Sequence, residues 1–209
     1  MRLSAFDLVC RRSGRDVFSK VGFSVGPGEC LIVTGRNGAG KSSLLRMVGG
    51  LLRTAGGRIV LEGGDPELAI GEQAHYLGHQ DALKPSLSVV ENLYFWSGFL
   101  GESSGDPHAS LAAVGLDTPA DLPAAYLSAG QRRRLSLARL LIVKRPIWLL
   151  DEPASTLDTA AQKRLAELMR AHLDGGGLIL AATHGAIGLD GAQELRLDQP
   201  PGFHAEGAA

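Results

Sequence analysis

The sequence predicts an α/β fold with a mostly parallel core sheet, an N-terminal antiparallel β-subdomain and an inserted helical lobe. Three observations carry this reading. The runs Ile147-Trp148-Leu149-Leu150 and Leu178-Ile179-Leu180-Ala181-Ala182 are continuously apolar, as strands of a sheet covered on both faces must be. Three helix starts fall between about residues 82 and 145 with no strand pattern between them. Finally, Gly35-Arg36-Asn37-Gly38-Ala39-Gly40-Lys41-Ser42 joins a short apolar strand to an apolar-periodic helix.

In chain order, Arg2 to Cys10 and Val17 to Val25 read as antiparallel strands joined by the polar turn Arg11 to Arg15. Gly26-Pro27-Gly28-Glu29 turns tightly into the strand Cys30 to Thr34. After the octet, Ser43 to Val48 reads as a helix. Gly49-Gly50 and Gly56-Gly57 then bracket a loop, and Arg58 to Glu62 and Ala74 to Gly78 are the next strands.

The lobe follows. Ser88 and Glu91 form a capping box for a helix through Leu93, Trp96 and Leu100. Asp106-Pro107 caps and opens a second helix ending near Gly115. Ser128 and Gln131 open a long third helix through Leu141. Tyr94, Phe95, Trp96 and Phe99 read as lobe core, although three adjacent aromatics cannot all face inward. Arg132-Arg133-Arg134 reads as a solvated helix face.

The α/β pattern then resumes with the strand at Ile147. Asp158 caps a helix from Thr159 to Leu173, Gly175-Gly176-Gly177 ends it, and the strand Leu178 to Ala182 follows. Residues 1–198 are expected to form one domain. The Pro-, Gly- and Ala-rich residues 199–209 are expected to be a loose tail.

The octet fits Gly, four residues, Gly-Lys-Ser, the pattern of a P-loop NTPase. Its glycines let the backbone turn amide hydrogens toward phosphates, and the helix N-terminus adds positive potential there. Lys41 is expected to reach the β- and γ-phosphates of a nucleoside triphosphate, and the Ser42 hydroxyl to take a Mg2+ position, with Ser43 beside it. Asp151 and Glu152 follow a strand whose C-terminal end is where open parallel sheets bind ligands. Asp151 is expected to hold Mg2+, and Glu152 to polarise the attacking water as general base. Gln80 and His184 also lie just past strand ends. Gln80 is a candidate for metal or water contact, and His184 for a hydrogen bond to the γ-phosphate.

With Leu127-Ser128-Ala129-Gly130-Gln131 and Ser155-Thr156-Leu157-Asp158 added, the ordered set resembles that of an ABC-type ATPase over nearly the whole chain. The resemblance implies two ATP molecules sandwiched head to tail between two P-loop domains. It therefore gives Ser128 and Gly130, within the segment ending in Gln131, a γ-phosphate contact in the other copy. It also gives Asp158 a role in communication across the dimer. Ala129 replaces the usual glycine of the signature, and Arg36 stands where many members have proline. Arg12 occupies the turn that usually carries an adenine-stacking aromatic; its guanidinium plane is the candidate substitute.

The resemblance further implies docking on multi-span membrane subunits, by a homodimer or a pair with a related ATPase. Tyr76-Leu77-Gly78-His79-Gln80, Leu87 to Leu93 and Leu127 to Leu141 are more specifically similar to the ATP-binding subunit of the haem exporter of bacterial cytochrome c maturation. That implies the cytoplasmic face of the inner membrane. The ATPase of another small exporter, for lipids or drugs, has the same catalytic set, and a soluble non-transport ABC ATPase is a further alternative.

Bulk composition agrees with this frame. The 209 residues carry a net charge of -1, which gives no electrostatic case for nucleic acid as partner. No run approaches the roughly 18 apolar residues of a membrane span, and the N-terminus lacks a signal peptide's apolar stretch. A membrane role is therefore expected through a partner. Cys10 and Cys30 lack metal-ligand spacing and read as buried thiols of a cytosolic protein.

Overall fold

A computed structural model describes residues 1–101, 105–116, 118–185 and 187–197. The expected tail, 199–209, lies outside the described residues. Eight strands are described: β1 (Arg2–Arg12), β2 (Arg15–Val25), β3 (Cys30–Gly35), β4 (Gly56–Glu62), β5 (Ala74–Leu77), β6 (Ile147–Asp151), β7 (Leu178–Ala182) and β8 (Gln193–Leu197). The α-helices are α1 (Lys41–Val48), α2 (Val89–Leu100), α3 (Pro107–Ala113), α4 (Ala129–Ile142) and α5 (Thr159–Asp174).

The parallel sheet has the order β5-β6-β7-β3-β8, and the antiparallel sheet the order β2-β1-β4. The alternation of side chains along each buried strand divides the interior in two. Ile147 and Leu149 of β6, with Leu178 and Leu180 of β7, pack toward Leu44, Leu45 and Met47 of α1 and toward the antiparallel sheet. Trp148, Leu150, Ile179 and Ala181 point the other way, onto Leu135 and Ala138 of α4 and Leu165 and Met169 of α5. Truncating any one of these fully buried leucines to alanine costs about 2–5 kcal/mol. The sheet is therefore clamped between two cores, which is why β6 and β7 are buried on both faces.

The helix starts are as read. Ser88 and Glu91, and Ser128 and Gln131, form reciprocal capping boxes, while Asp106 and Asp158 cap α3 and α5. Several elements differ from expectation. The first hairpin extends to Arg12 and Arg15, leaving a two-residue turn, Ser13-Gly14, with both residues at positive φ. That is the turn geometry whose twist matches a hairpin. β4 begins at Gly56 and pairs with β1, so the antiparallel subdomain takes its third strand from beyond the P-loop helix. β8 and the short 3-10 turn Ile70–Gln73 have no counterpart in the sequence reading. β8 is an edge strand with mostly exposed side chains, so its apolar signal is weak.

Two side-chain expectations are corrected. Arg132-Arg133-Arg134 is not a solvated face: Arg133 is 1% exposed, and Arg134 donates to the Gly115 carbonyl and pairs with Asp158. Nor are the aromatics of α2 mainly lobe core, since Tyr94, Phe95 and Phe99 are exposed. Val89, Leu93, Leu111, Leu127 and Leu135 fill that core instead. Cys10 and Cys30 are free and buried, and burial pushes the Cys30 thiol up to about 12.

His75 of β5 is buried, and its Nε2 lies 2.7 Å from the Val143 carbonyl, which accepts the ring proton. Burial, with Arg139 and Arg145 nearby, pushes its pKa from the ordinary 6.5 down to about 3. The neutral ring belongs to the folded state, so the unfolded chain takes up a proton first as pH falls. Stability is complete above 6.5 and is lost between there and 3, by about 2 kcal/mol at pH 5. His172, stacked on Trp148 and also lowered by burial, adds to the same slope. His75→Gln should shrink the difference between urea midpoints at pH 7 and pH 5. An unchanged difference would refute the assignment.

Candidate functional site

Because β6, β7 and β3 are parallel neighbours, their C-terminal ends open at one edge of the sheet. The loop after β3 enters α1 through Gly40, at φ 101, where a Cβ would lie 2.7 Å from the Phe18 ring and 2.8 Å from the Val17 side chain. Only glycine fits, so the loop closes tightly on β2.

Lys41 is 8% exposed. Its Nζ donates to the carbonyls of Gly35 at 2.9 Å and Arg36 at 3.3 Å, and lies 3.0 Å from Nε2 of His184. The Ser42 hydroxyl donates to Oδ1 of Asp151 at 3.0 Å. Asp151, the last residue of β6, is 3% exposed.

Glu152 is held in an unusual backbone conformation, φ 49. Left-handed geometry costs a non-glycine residue on the order of 1–3 kcal/mol unless neighbours over-determine it. Here its N–H donates to the Ala182 carbonyl at 2.8 Å, and its own carbonyl accepts from Arg133 at 2.7 Å and from the Ser155 hydroxyl at 2.9 Å. The carboxylate thereby points toward His184, whose Nε2 is 3.7 Å from Oε1. That Oε1 is buried with no hydrogen-bond partner among the described residues. The Glu152 side chain as a whole is 28% exposed and lines the cavity at this edge, where a carboxylate can accept a proton from water.

A cavity of about 510 Å³ gathers Asn37, Gly38, Gly40, Lys41, Ser42, Ser43, Asp151, Glu152 and His184, with Arg12 at its rim. Gly35, Arg36 and Ala39 build the loop behind it, Arg36 accepting from the Ala39 N–H at 3.1 Å. Ser42 and Asp151 supply two hard oxygen ligands side by side. That suits Mg2+, which takes one or two protein oxygens and completes its shell with phosphate and water. Among the described residues no group of three or more His, Cys, Asp or Glu lies together so as to hold a metal.

Other predicted residues lie elsewhere in the single chain. Gln80 is exposed and lines a separate cavity of about 600 Å³ with Tyr76, Trp96, Phe99 and Arg139. Ser128 accepts from the Gln131 N–H and Gln131 from the Ser128 N–H, and the Gln131 amide also donates to Thr118. Gly130 is the second residue of α4, and Asp158 caps α5 while pairing with Arg134. None of these lines the P-loop cavity.

Sequence reasoning missed Tyr76. Its hydroxyl lies 3.4 Å from Oδ2 of Asp151 and accepts from Arg46 Nε at 3.1 Å, so both carboxylate oxygens of Asp151 are engaged. No local sequence signal marks it, because the contact arises from the register that sets β5 beside β6.

Known proteins with this arrangement are numerous. The family model for the ABC transporter matches residues 18–155. The chain is 61% identical to the cytochrome c biogenesis ATP-binding export protein CcmA of Bradyrhizobium diazoefficiens, over 94% of this chain and 98% of that protein. It is 52% identical to the protein of the same name from Chelativorans sp., with the same coverage. Among solved structures, an ABC transporter ATP-binding protein of Pyrococcus furiosus superposes with a TM-score of 0.81 at 20% identity, over 94% of this chain and 98% of that one. A dimeric ATP-binding cassette in a post-hydrolysis state, bound to ADP and Pi, gives 0.75 at 20% identity over 88% of each chain. These two likenesses concern the fold, whereas the family match and the close relatives concern the sequence itself. The chain belongs to the ABC transporter family.

Proposed function

We propose that this chain is the ATP-hydrolysing subunit of the ABC transporter that serves bacterial cytochrome c maturation. It would work as a head-to-tail dimer beneath multi-span membrane subunits, at the cytoplasmic face of the inner membrane. The observation that carries the catalytic part is the convergence of Lys41, Ser42, Asp151, Glu152 and His184 on one cavity. The pathway rests on the relatives at 61% and 52% identity, which are named cytochrome c biogenesis ATP-binding export proteins. No helix among the described residues is long and apolar enough to cross a membrane, which supports a peripheral subunit. Residues 1–198 are proposed as one ATPase domain, with residues 199–209 as its tail.

In this reading Lys41 exchanges the carbonyls of Gly35 and Arg36 for the β- and γ-phosphates, and the N-terminus of α1 completes the cradle. Ser42 and Asp151 would hold Mg2+, which would supply charge neutralisation on the phosphates. Glu152 takes the proton of the attacking water, while His184, fixed between Lys41 and Glu152, donates to the γ-phosphate. Gln80 would contact the metal or order the attacking water. Ser128 and Gly130 serve the ATP of the other copy, with Gln131 bracing the helix start and Asp158 meeting the partner at the dimer interface. Arg12 is the proposed adenine-stacking group.

Disrupting the gene for this chain in its own bacterium should abolish haem-stained c-type cytochromes and spare b-type ones. Wild type supplied in trans should restore them and Glu152→Gln should not. Normal c-type cytochromes without the chain would overturn the pathway. Affinity-tagged chain should also retain a multi-span membrane protein through detergent extraction; retention of ribosomes or DNA alone would overturn the transport reading.

A further inference from the structure

Arg133 of α4 is among the largest fully buried side chains, and sequence position alone casts it as a surface residue. A buried guanidinium must fill its donors to be tolerated, and here two different segments fill them. On one side, Nη1 donates to the Gly78 carbonyl at 2.9 Å and pairs with Asp81 Oδ1 at 3.2 Å. These two residues flank Gln80. On the other side, Nη2 donates to the carbonyls of Asp151 at 3.0 Å and Glu152 at 2.7 Å, and Nε donates to that of Pro153 at 3.2 Å. One planar fork thus spans the glutamine loop and the backbone that holds Glu152 at φ 49. Ser136, one turn further along α4, donates to the Asp81 carbonyl at 2.9 Å and fixes the loop to the same helix.

We propose that Arg133 is a positioning residue that makes the placement of the Gln80 loop and the orientation of the Glu152 carboxylate a single variable. The proposal rests on the reading of Glu152 as the base. Glu152 cannot relax to ordinary backbone geometry while its carbonyl is held by Arg133. Equally, the loop cannot shift without pulling the guanidinium away from that carbonyl. A displacement of Gln80, on the side of the molecule where the exposed aromatics of α2 lie, is thereby transmitted to the general base without contact with nucleotide. Lysine cannot substitute, because three donors on one nitrogen do not span both segments.

The test uses Arg133→Lys and Asp81→Ala in the full chain, with steady-state ATPase kinetics, nucleotide affinity and thermal midpoint measured together. The Asp81 side chain is 23% exposed, so its removal opens the loop side of the link with little burial cost. Arg133→Lys should lower kcat by about 10²-fold, as a misplaced catalytic group does, with KM and nucleotide affinity within about twofold. Asp81→Ala should lower kcat by roughly 10-fold with the same unchanged KM. A merely structural role would instead lower the thermal midpoint and leave kcat per folded molecule intact, and that result overturns the proposal. Wild-type kcat in Asp81→Ala overturns it even where Arg133→Lys fails to fold. Absence of ATP hydrolysis by the wild-type chain is a different outcome, because it overturns the reading of the site on which this rests.

Discussion

Glu152→Gln should lower ATP turnover by about 10²–10⁴-fold while leaving nucleotide affinity within about twofold. The asymmetry follows from what holds this residue. Its backbone is anchored through the Ala182 carbonyl, Ser155 and Arg133, none of which touches the carboxylate. A glutamine side chain of the same shape therefore occupies the same place. What disappears is a proton acceptor whose Oε1 has no hydrogen-bond partner among the described residues. The phosphate cradle, built from the loop after β3 and Lys41, is untouched. Removing one negative charge beside a triphosphate also removes repulsion, so the ATP-bound state should persist. If two copies enclose two nucleotides, the variant with ATP and Mg2+ should elute as a dimer, and wild type should return to monomer as ATP is consumed. Single-turnover hydrolysis and size-exclusion chromatography measure both effects. Wild-type turnover in Glu152→Gln would remove this residue as the base.

The parts of the fold legible in the sequence are those where a local signal and a tertiary demand coincide. β6 and β7 are apolar throughout because both faces are covered, and the caps at Ser88, Asp106, Ser128 and Asp158 satisfy amides that helix ends leave open. β8 was not legible, because its pairing with β3 is made by backbone groups while its side chains stay mostly in solvent. The pairing of β4 with β1 was not legible either, since nothing local says which sheet a strand joins.

The same division runs through the site. The cradle glycines, Lys41 and Ser42 sit in one contiguous motif, and Asp151-Glu152 and His184 are marked by strand ends. Arg133 and Tyr76 are defined only by what they touch. Three consecutive arginines on a helix look solvated until the loops at Gly78 and Asp151 close over the middle one. The exposed Tyr94, Phe95 and Phe99 invert the usual expectation for the same reason, because periodicity reports that a helix has two faces but not which one the lobe covers.

Lys41→Ala should fail at an earlier step than Glu152→Gln. With 8% of its surface exposed, Lys41 is already desolvated, and its ammonium is satisfied by the Gly35 and Arg36 carbonyls and by His184. Phosphate oxygens are stronger acceptors than these carbonyls, so ATP draws the ammonium across a short distance at small reorganisation cost. Removing it forfeits charge-assisted hydrogen bonds worth about 1.5–3 kcal/mol, which weakens ATP binding by roughly 10- to 100-fold. The α1 terminus and the loop amides remain, so residual binding persists and depends on Mg2+ through Ser42 and Asp151. The rise in thermal midpoint on adding ATP should be largely lost. Calorimetric titration with a slowly hydrolysed ATP analogue separates the two variants: full affinity in Glu152→Gln and weak affinity in Lys41→Ala. Wild-type affinity in Lys41→Ala would mean that the phosphates lie away from this lysine, and the convergence of Glu152 and His184 on it would then need another ligand.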